Sequence, residues 1–254
     1  MTLQSDMLSA NRAANLGRLA LIVLALLPAA TGCRWTSSGQ NTLGVQLYQQ
    51  GRYAEALQQF QVAQRTDPSN PDAYYNLAST YHKLGVAQKD AKLIEQAESL
   101  YNQCLDLAPN HVDCHRALAV LLVESNRQDR AFALMKNWAA KNPGLADARV
   151  ELSRLHQEFG ETKTAERYLD EALALDPSHY RAWTARGQMR EAAGDDNQAL
   201  QNYQQSLAIN GLQPELYQRI ASLNGRIAQR AISGGTQPGT WTVQNPQPNS
   251  PQRY

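Results

Sequence analysis

The chain has 254 residues, of which 43% are hydrophobic, so it is long enough to form one large domain or the core of a solenoid. It carries 24 Lys and Arg against 23 Asp and Glu. A chain so close to neutrality has no general attraction for nucleic acid or for an anionic lipid surface, which disfavours a nucleic-acid partner.

The N-terminal residues have the pattern of a targeting segment. Two arginines precede an apolar run of 12 residues, Leu19–Ala30, which is shorter than the roughly 20 residues that a membrane span needs. Small residues then lead to Cys33. This order of charge, apolar run and small residues predicts a signal peptide over 1–32 and a short linker over 33–36.

The end of this segment, Ala-Thr-Gly-Cys at 30–33, resembles the lipobox of bacterial lipoproteins. It departs from the lipobox at its first position, where leucine is usual. The resemblance implies that Cys33 is the lipidated first residue of a mature chain anchored in the cell envelope and facing the periplasm. Arg34 stands where many inner-membrane lipoproteins have Asp, which favours the outer membrane. Ordinary secretion or an uncleaved signal anchor is the alternative.

An alanine recurs at a fixed spacing through the middle of the chain. Ala97, Ala131, Ala165 and Ala199 follow one another at intervals of 34 residues, and Ala56 lies 41 residues before the first of them. Such a period is typical of a solenoid, in which each repeat packs against its neighbours. It divides the chain into five segments, each with the pattern of an antiparallel helix pair: 37–70, 71–111, 112–145, 146–179 and 180–213.

Two further positions recur in every segment. A large side chain follows the alanine by four residues, on the same helical face, as Phe60, Tyr101, Met135, Leu169 and Tyr203. Gly or Asn, which tolerate the left-handed conformation of a helix end, stands at the expected turn as Gly51, Gly85, Asn126, Gly160 and Gly194. These positions resemble the tetratricopeptide repeat consensus. The resemblance covers 37–213 and implies an all-α fold, an α-solenoid of about five tetratricopeptide helix pairs.

The C-terminal part of the chain changes composition twice. Pro214 begins an amphipathic segment over 214–231, which we predict to be a capping helix with Leu216, Ile220 and Leu223 on its apolar face. Residues 232–254 are rich in Gly, Pro, Gln and Asn. Because such a segment has little apolar surface to bury, we predict a disordered tail.

The second segment is seven residues longer than the others, and the extra residues lie between Gly85 and Ala97. Leu93, Ala97 and Leu100 keep helical spacing, and Asp90 is suited to cap a helix. We therefore predict that the second helix of this pair begins early. An additional surface loop is the alternative.

Cys104, His111, Cys114 and His115 lie within 12 residues, a content typical of zinc sites. Cys104 and His115 nevertheless fall at core positions of successive helices, so we interpret the group as core. We predict no metal, no cofactor, no small-molecule substrate and no catalytic site. An enzyme-regulating or metal-dependent module built on these four residues is the alternative function. Cys104 and Cys114 also allow a disulfide in an oxidising compartment.

The first helices of tetratricopeptide arrays line a concave groove, and the resemblance carries this role to seven residues. They are Tyr75, Asn76, Arg116, Val120, Val123, Val150 and Arg154. The valines and the tyrosine are suited to apolar side chains, and the others to a peptide backbone or a carboxylate. We predict a non-enzymatic scaffold lipoprotein that binds a protein or peptide partner in an envelope assembly. Its architecture resembles that of pilotin-type lipoproteins and of lipoproteins that coordinate cell-wall synthesis.

Overall fold

The computed structural model describes residues 37–234, and over this range the chain forms eleven α-helices and no strand. Helix α1 covers 37–49. The others are α2 (Tyr53–Thr66), α3 (Pro71–Gln88), α4 (Ala91–Leu107), α5 (Val112–Glu124), α6 (Gln128–Lys141), α7 (Ala146–Glu158), α8 (Thr162–Leu175), α9 (Tyr180–Ala192), α10 (Asp196–Ile209) and α11 (Pro214–Gly234). The expected all-α fold of five helix pairs and one further helix is confirmed.

Several predicted features lie outside the described residues. They are the signal peptide, the linker that begins at Cys33, and the tail after residue 234. Helix α11 ends at Gly234, so the first three residues that we expected in the tail are helical. Among the helices of 37–234, none combines the length and the hydropathy that a bilayer span requires.

The described residues divide into two compact units, and the division falls within α7. The first unit ends at Leu152 and contains α1 to α6 with the start of α7. The second begins at Ser153 and contains the rest of α7 with α8 to α11.

The recurring alanines are points of close helix packing. All five are fully buried, and the large side chain four residues after each is at most 1% exposed. In two of the helix pairs, a glycine of the first helix allows an equally close approach of the second helix. A Cβ added to Gly44 would lie 2.4 Å from the ring of Phe60, and one added to Gly187 would lie 2.4 Å from the ring of Tyr203. The small residues are therefore a packing requirement of each pair.

The second helix pair forms an extended hairpin. Helix α3 has 18 residues and α4 has 17, whereas α5 has 13 and α6 has 14. The prediction of helix rather than loop is thus right, and Asp90 caps α4 by accepting a hydrogen bond from the Lys92 N–H at 2.9 Å. The expected turn at Gly85 is wrong, because α3 continues past it to a turn at Lys89. Gly85 instead allows a close contact, since an added Cβ would lie 2.7 Å from Ile94.

Candidate functional site

A groove with a volume of 310 Å³ lies on the first unit between α1, α3 and α5, and one residue of α4 contributes to it. We call it the tyrosine groove. Its lining combines aromatic, aliphatic and charged side chains: Tyr48, Tyr75, Ser79, His82, Lys83, Val86, Tyr101, Asp113, Arg116, Ala117, Val120 and Glu124.

Three tyrosines line the tyrosine groove, and two of them, Tyr75 and Tyr101, lie close to each other and to Ser79. The ring centroids of Tyr75 and Tyr101 are 6.3 Å apart, and the Ser79 hydroxyl lies 3.1 Å from that of Tyr101. Burial raises the pKa of Tyr75 and of Tyr101 above the ordinary value of a phenol. Both side chains are therefore neutral at physiological pH. The half-buried Tyr75 offers part of its ring and its hydroxyl to the groove, whereas Tyr101 is buried and reaches the groove only with its edge.

Arg116, which the sequence suggests as an anion-binding residue, is held by two carboxylates of its own chain. Its Nε and Nη2 atoms donate to the two oxygens of Glu151 at 2.9 and 2.5 Å, and its Nη1 donates to Asp113 at 2.8 Å. The hydrogen bonds to Glu151 raise the pKa of Arg116. The guanidinium is thus engaged inside the first unit, whereas the repeat resemblance implied that it would hold a peptide backbone or a carboxylate of a ligand.

The structure brings together only some of the predicted groove residues. Tyr75, Arg116 and Val120 line the tyrosine groove. Asn76 instead donates a hydrogen bond to the side chain of Asn41 at 2.9 Å. Val150 is 2% exposed and is therefore core rather than groove, which corrects its predicted role. Of the remaining two, Val123 is half-buried outside the groove lining, and Arg154 is exposed on the second unit.

Nine of the twelve lining residues are not among the seven predicted site residues, and three of the nine show why. Tyr48 stands five residues after Leu43, as His82 stands five residues after Leu77, so the repeat alignment itself contains the signal for it. Val86 lies in the extension of the second segment, which has no counterpart in the other repeats. Tyr101 was assigned to the core, where it is indeed buried, while its edge reaches the groove.

A second cavity of 440 Å³ lies where the extended hairpin passes the end of α5. We call it the hairpin cavity, and it is lined by His82, Gly85, Val86, Lys89, Asp90, Ala91, Ile94, Glu124 and Ser125. His82, Val86 and Glu124 line both cavities. His82 Nε2 lies 2.9 Å from Glu124 Oε2. Since both residues line both cavities, this contact lies where the two cavities meet.

The predicted alternative of a Cys/His metal site is not supported. Cys104 and Cys114 are buried free thiols, and hydrogen bonding to Cys104 together with burial raises the pKa of Cys114. His111 caps α5 by accepting from the Cys114 N–H at 3.1 Å, and its other ring nitrogen lies 3.1 Å from Asp72. Residues 37–234 contain no group of three His, Cys, Asp or Glu side chains placed to hold a metal.

His115 has a structural environment of its own. Its ring stacks on that of Trp138, with centroids 4.0 Å apart and an interplanar angle of 14°. Its Nδ1 lies 3.2 Å from the carbonyl oxygen of His111, which fixes the ring. Burial lowers the pKa of His115 to about 4. The residue is therefore a neutral core histidine that joins α5 to α6.

Family comparison agrees with this architecture. Residues 44–85 match a model described as TPR repeat, and residues 71–111 and 146–189 match models described as tetratricopeptide repeat. The chain contains tetratricopeptide repeats. Arrays of such repeats present extended surfaces to other proteins, so the tetratricopeptide array of this chain is a scaffold for protein interactions.

The relatives of the tetratricopeptide array include parts of much larger proteins. The human protein O-mannosyl-transferase TMTC1 is 27% identical over 174 residues, which is 66% of this chain and 19% of that protein. The BBSome complex member BBS4 homolog of Drosophila melanogaster is 23% identical over 179 residues, 68% of this chain and 36% of that protein. The chain thus spans about a fifth to about a third of the length of these relatives.

Solved structures share the tetratricopeptide fold. TTC0263, a thermophilic TPR protein of Thermus thermophilus, has a TM-score of 0.55 and 27% identity, covering 74% of this chain and 98% of that one. PilW, a type IV pilus biogenesis factor, has a TM-score of 0.49 and 22% identity, covering 78% and 89%. The second likeness is one of fold alone.

Proposed function

We propose that the tyrosine groove binds an extended segment of a partner protein. The observation that carries this proposal is the combination of Tyr48, Tyr75 and Val120, the last of them 40% exposed, with hydroxyl and charged groups in one concave site. A bound peptide needs apolar surface for its side chains and hydrogen-bond partners for its backbone. Tyrosine supplies both and loses little conformational entropy on binding.

The hairpin cavity extends the surface available to such a segment. It shares Val86 and the His82–Glu124 contact with the tyrosine groove, and it adds the apolar side chain of Ile94. A chain that crosses this contact would meet both cavities in succession. We therefore assign the longer hairpin of the second repeat a role in binding, as an extension of the site.

We also propose that the tetratricopeptide array works in the cell envelope, held to a membrane by lipid on Cys33. The support is the apolar run Leu19–Ala30 and the lipobox-like residues 30–33. Helix α1 begins at residue 37, and four extended residues span at most about 14 Å. A lipid on Cys33 would hold the first repeat, and with it the tyrosine groove, next to the membrane surface.

Partner recovery from envelope extracts tests the groove. Full-length protein with Val120→Asn is compared with Leu107→Asn, because the valine and the leucine are exposed to a similar degree, 40% and 44%, and Leu107 lies outside both cavities. The proposal predicts that Val120→Asn weakens recovery of the partner and that Leu107→Asn retains it. Equal recovery by the two variants would show that the groove is not the site.

Membrane fractionation tests the anchor separately. Replacing Cys33 by Ser should move the protein from the membrane to the supernatant and abolish labelling by radioactive palmitate. A variant that stays in the membrane fraction without label would contradict lipidation at Cys33 as the anchor.

A further inference from the structure

We propose that the tyrosine groove selects a segment that carries a lysine or arginine side chain, and disfavours one that carries a carboxylate. The inference rests on the proposed function, and it reverses the ligand charge that the sequence pattern suggests for Arg116.

The first step is the charge around Arg116. One guanidinium is shared between Glu151, whose carboxylate is almost fully buried, and Asp113, whose side chain is half exposed. Two carboxylates against one cation leave an excess of one negative charge. The hydrogen bonds of the guanidinium are already directed at these two partners, so an incoming carboxylate would find repulsion from Asp113 rather than a free donor pair.

The second step is the charge at the other end of the tyrosine groove. Glu124 is half exposed, and the partner of its carboxylate is the imidazole of His82. This contact differs from the Arg116–Glu151 pair, in which the partner of the carboxylate is a permanently charged guanidinium. The carboxylate of Asp72 likewise has an imidazole as its partner, that of His111, whose ring lies 5.3 Å from the ring of Tyr75.

Together these groups make the site acidic. The lining itself holds two carboxylates, Asp113 and Glu124, and two cations, Lys83 and Arg116, but the buried Glu151 neutralises Arg116, and Asp72 stands beside the groove. Counted over carboxylates, Lys and Arg alone, the groove with the Glu151 partner has one excess negative charge, and Asp72 adds a second beside it. The rings of Tyr48 and Tyr75 add the negative face of their π-systems, which attracts a cation. Acidic and aromatic groups in one groove complement the ammonium or guanidinium group of a peptide side chain.

A peptide selection on full-length protein tests this charge preference. Random peptides displayed on phage are selected on the wild type, and those whose binding is lost with Val120→Asn, which adds polarity to the groove without adding charge, are taken as groove-dependent. We expect these peptides to be enriched in Lys and Arg. Enrichment in Asp and Glu, or no charge preference, would overturn the inference while leaving the groove as the binding site.

Carboxylate variants then test the cause of the preference. Glu124→Gln and Asp113→Asn should each weaken a selected basic peptide about threefold to tenfold, and Lys83→Gln should strengthen it. Glu95→Gln, which removes an exposed carboxylate of α4 outside both cavities, is the matched control. Equal effects of Glu124→Gln and Glu95→Gln would overturn the inference. A library that yields no groove-dependent peptide would contradict the proposed function itself and remove the basis of the inference.

Discussion

Arg116 on α5 and Glu151 on α7 form a bidentate ion pair that joins two successive first helices within the first unit. The Nε and Nη2 atoms of the arginine lie 2.9 and 2.5 Å from the two carboxylate oxygens, and Glu151 is 3% exposed. A carboxylate so deeply buried requires a charged partner of this kind. The pair therefore has a structural role, and it also determines the charge that the tyrosine groove presents.

Removing the arginine should destabilise the protein. We expect Arg116→Met to lower the free energy of unfolding by about 2–3 kcal/mol, because Glu151 is left buried without its partner. Arg154→Met, at an exposed position of α7, should change it by less than about 0.5 kcal/mol. Chemical denaturation of the full-length proteins measures the difference, and equal effects would contradict a structural role of the pair.

The close contact between Gly187 and Tyr203 predicts that a larger residue at position 187 destabilises the protein. A Cβ there would lie 2.4 Å from the ring of Tyr203, so Gly187→Ala should cost about 1–3 kcal/mol of stability. Gly225 in α11 has no atom within 4 Å of an added Cβ, so Gly225→Ala should be neutral or stabilise by up to about 1 kcal/mol through helix propensity. The two thermal unfolding midpoints should therefore move in opposite directions, or only that of Gly187→Ala should fall. A comparable loss in both would refute the packing argument.

The buried His115 predicts a dependence of stability on pH. Its pKa is lowered to about 4 in the folded chain, whereas an unfolded histidine titrates near 6.5. As the pH falls, the unfolded state takes up the proton first. The contribution of the neutral His115 to the free energy of unfolding is therefore fully present above about pH 6.5 and is lost as the pH falls to about 4. The loss should be about 3 kcal/mol, because the two pKa values differ by about 2.5 and each unit corresponds to about 1.4 kcal/mol.

His115→Phe isolates this effect, because phenylalanine retains an aromatic ring opposite Trp138 and does not titrate. His111 is the titratable neighbour of His115 and is unchanged in the variant. Denaturation curves measured at neutral and at acidic pH should show a smaller loss for His115→Phe than for the wild type. The same loss in both proteins would mean that His115 does not carry the pH dependence.

The position of the turn in the extended hairpin can be tested with glycine. Lys89 has a φ of 54°, a left-handed conformation that favours glycine. Lys89→Gly should therefore stabilise the protein by about 0.5–1 kcal/mol, whereas Gln88→Gly, one residue earlier and inside α3, should destabilise it by about 1 kcal/mol. If the turn were at Gly85 instead, both substitutions would fall outside it and neither would stabilise.

The sequence predicts the fold well because the repeat signal is redundant. The alanine and the large residue four positions after it recur five times. A departure at one copy therefore leaves the signal of the other copies intact. The extended hairpin was harder to place. Gly85 has the residue type of a turn, but its close contact with Ile94 depends on how the two helices pack, and a single chain position does not reveal this.

The site is less predictable because it depends on pairs that are distant in the chain. Arg116 and Glu151 are separated by a full repeat, and the consensus gives no reason to expect that one neutralises the other. Val150 illustrates the same limit. The repeat position of this residue predicts the groove, but its side chain is buried in the core. Residue positions within the repeat thus identified candidates, but tertiary contacts determined their charge and exposure.

Site-specific photocrosslinking in living cells tests the central claim most directly. A photoreactive phenylalanine derivative is introduced at Val120 in the tyrosine groove or at Gln103, an exposed position of α4 outside it. We predict an adduct from position 120 and none from position 103, with the crosslink mapped by mass spectrometry to a partner segment that contains Lys or Arg. An adduct at position 103 with none at position 120 would contradict the assignment of the groove as the binding site.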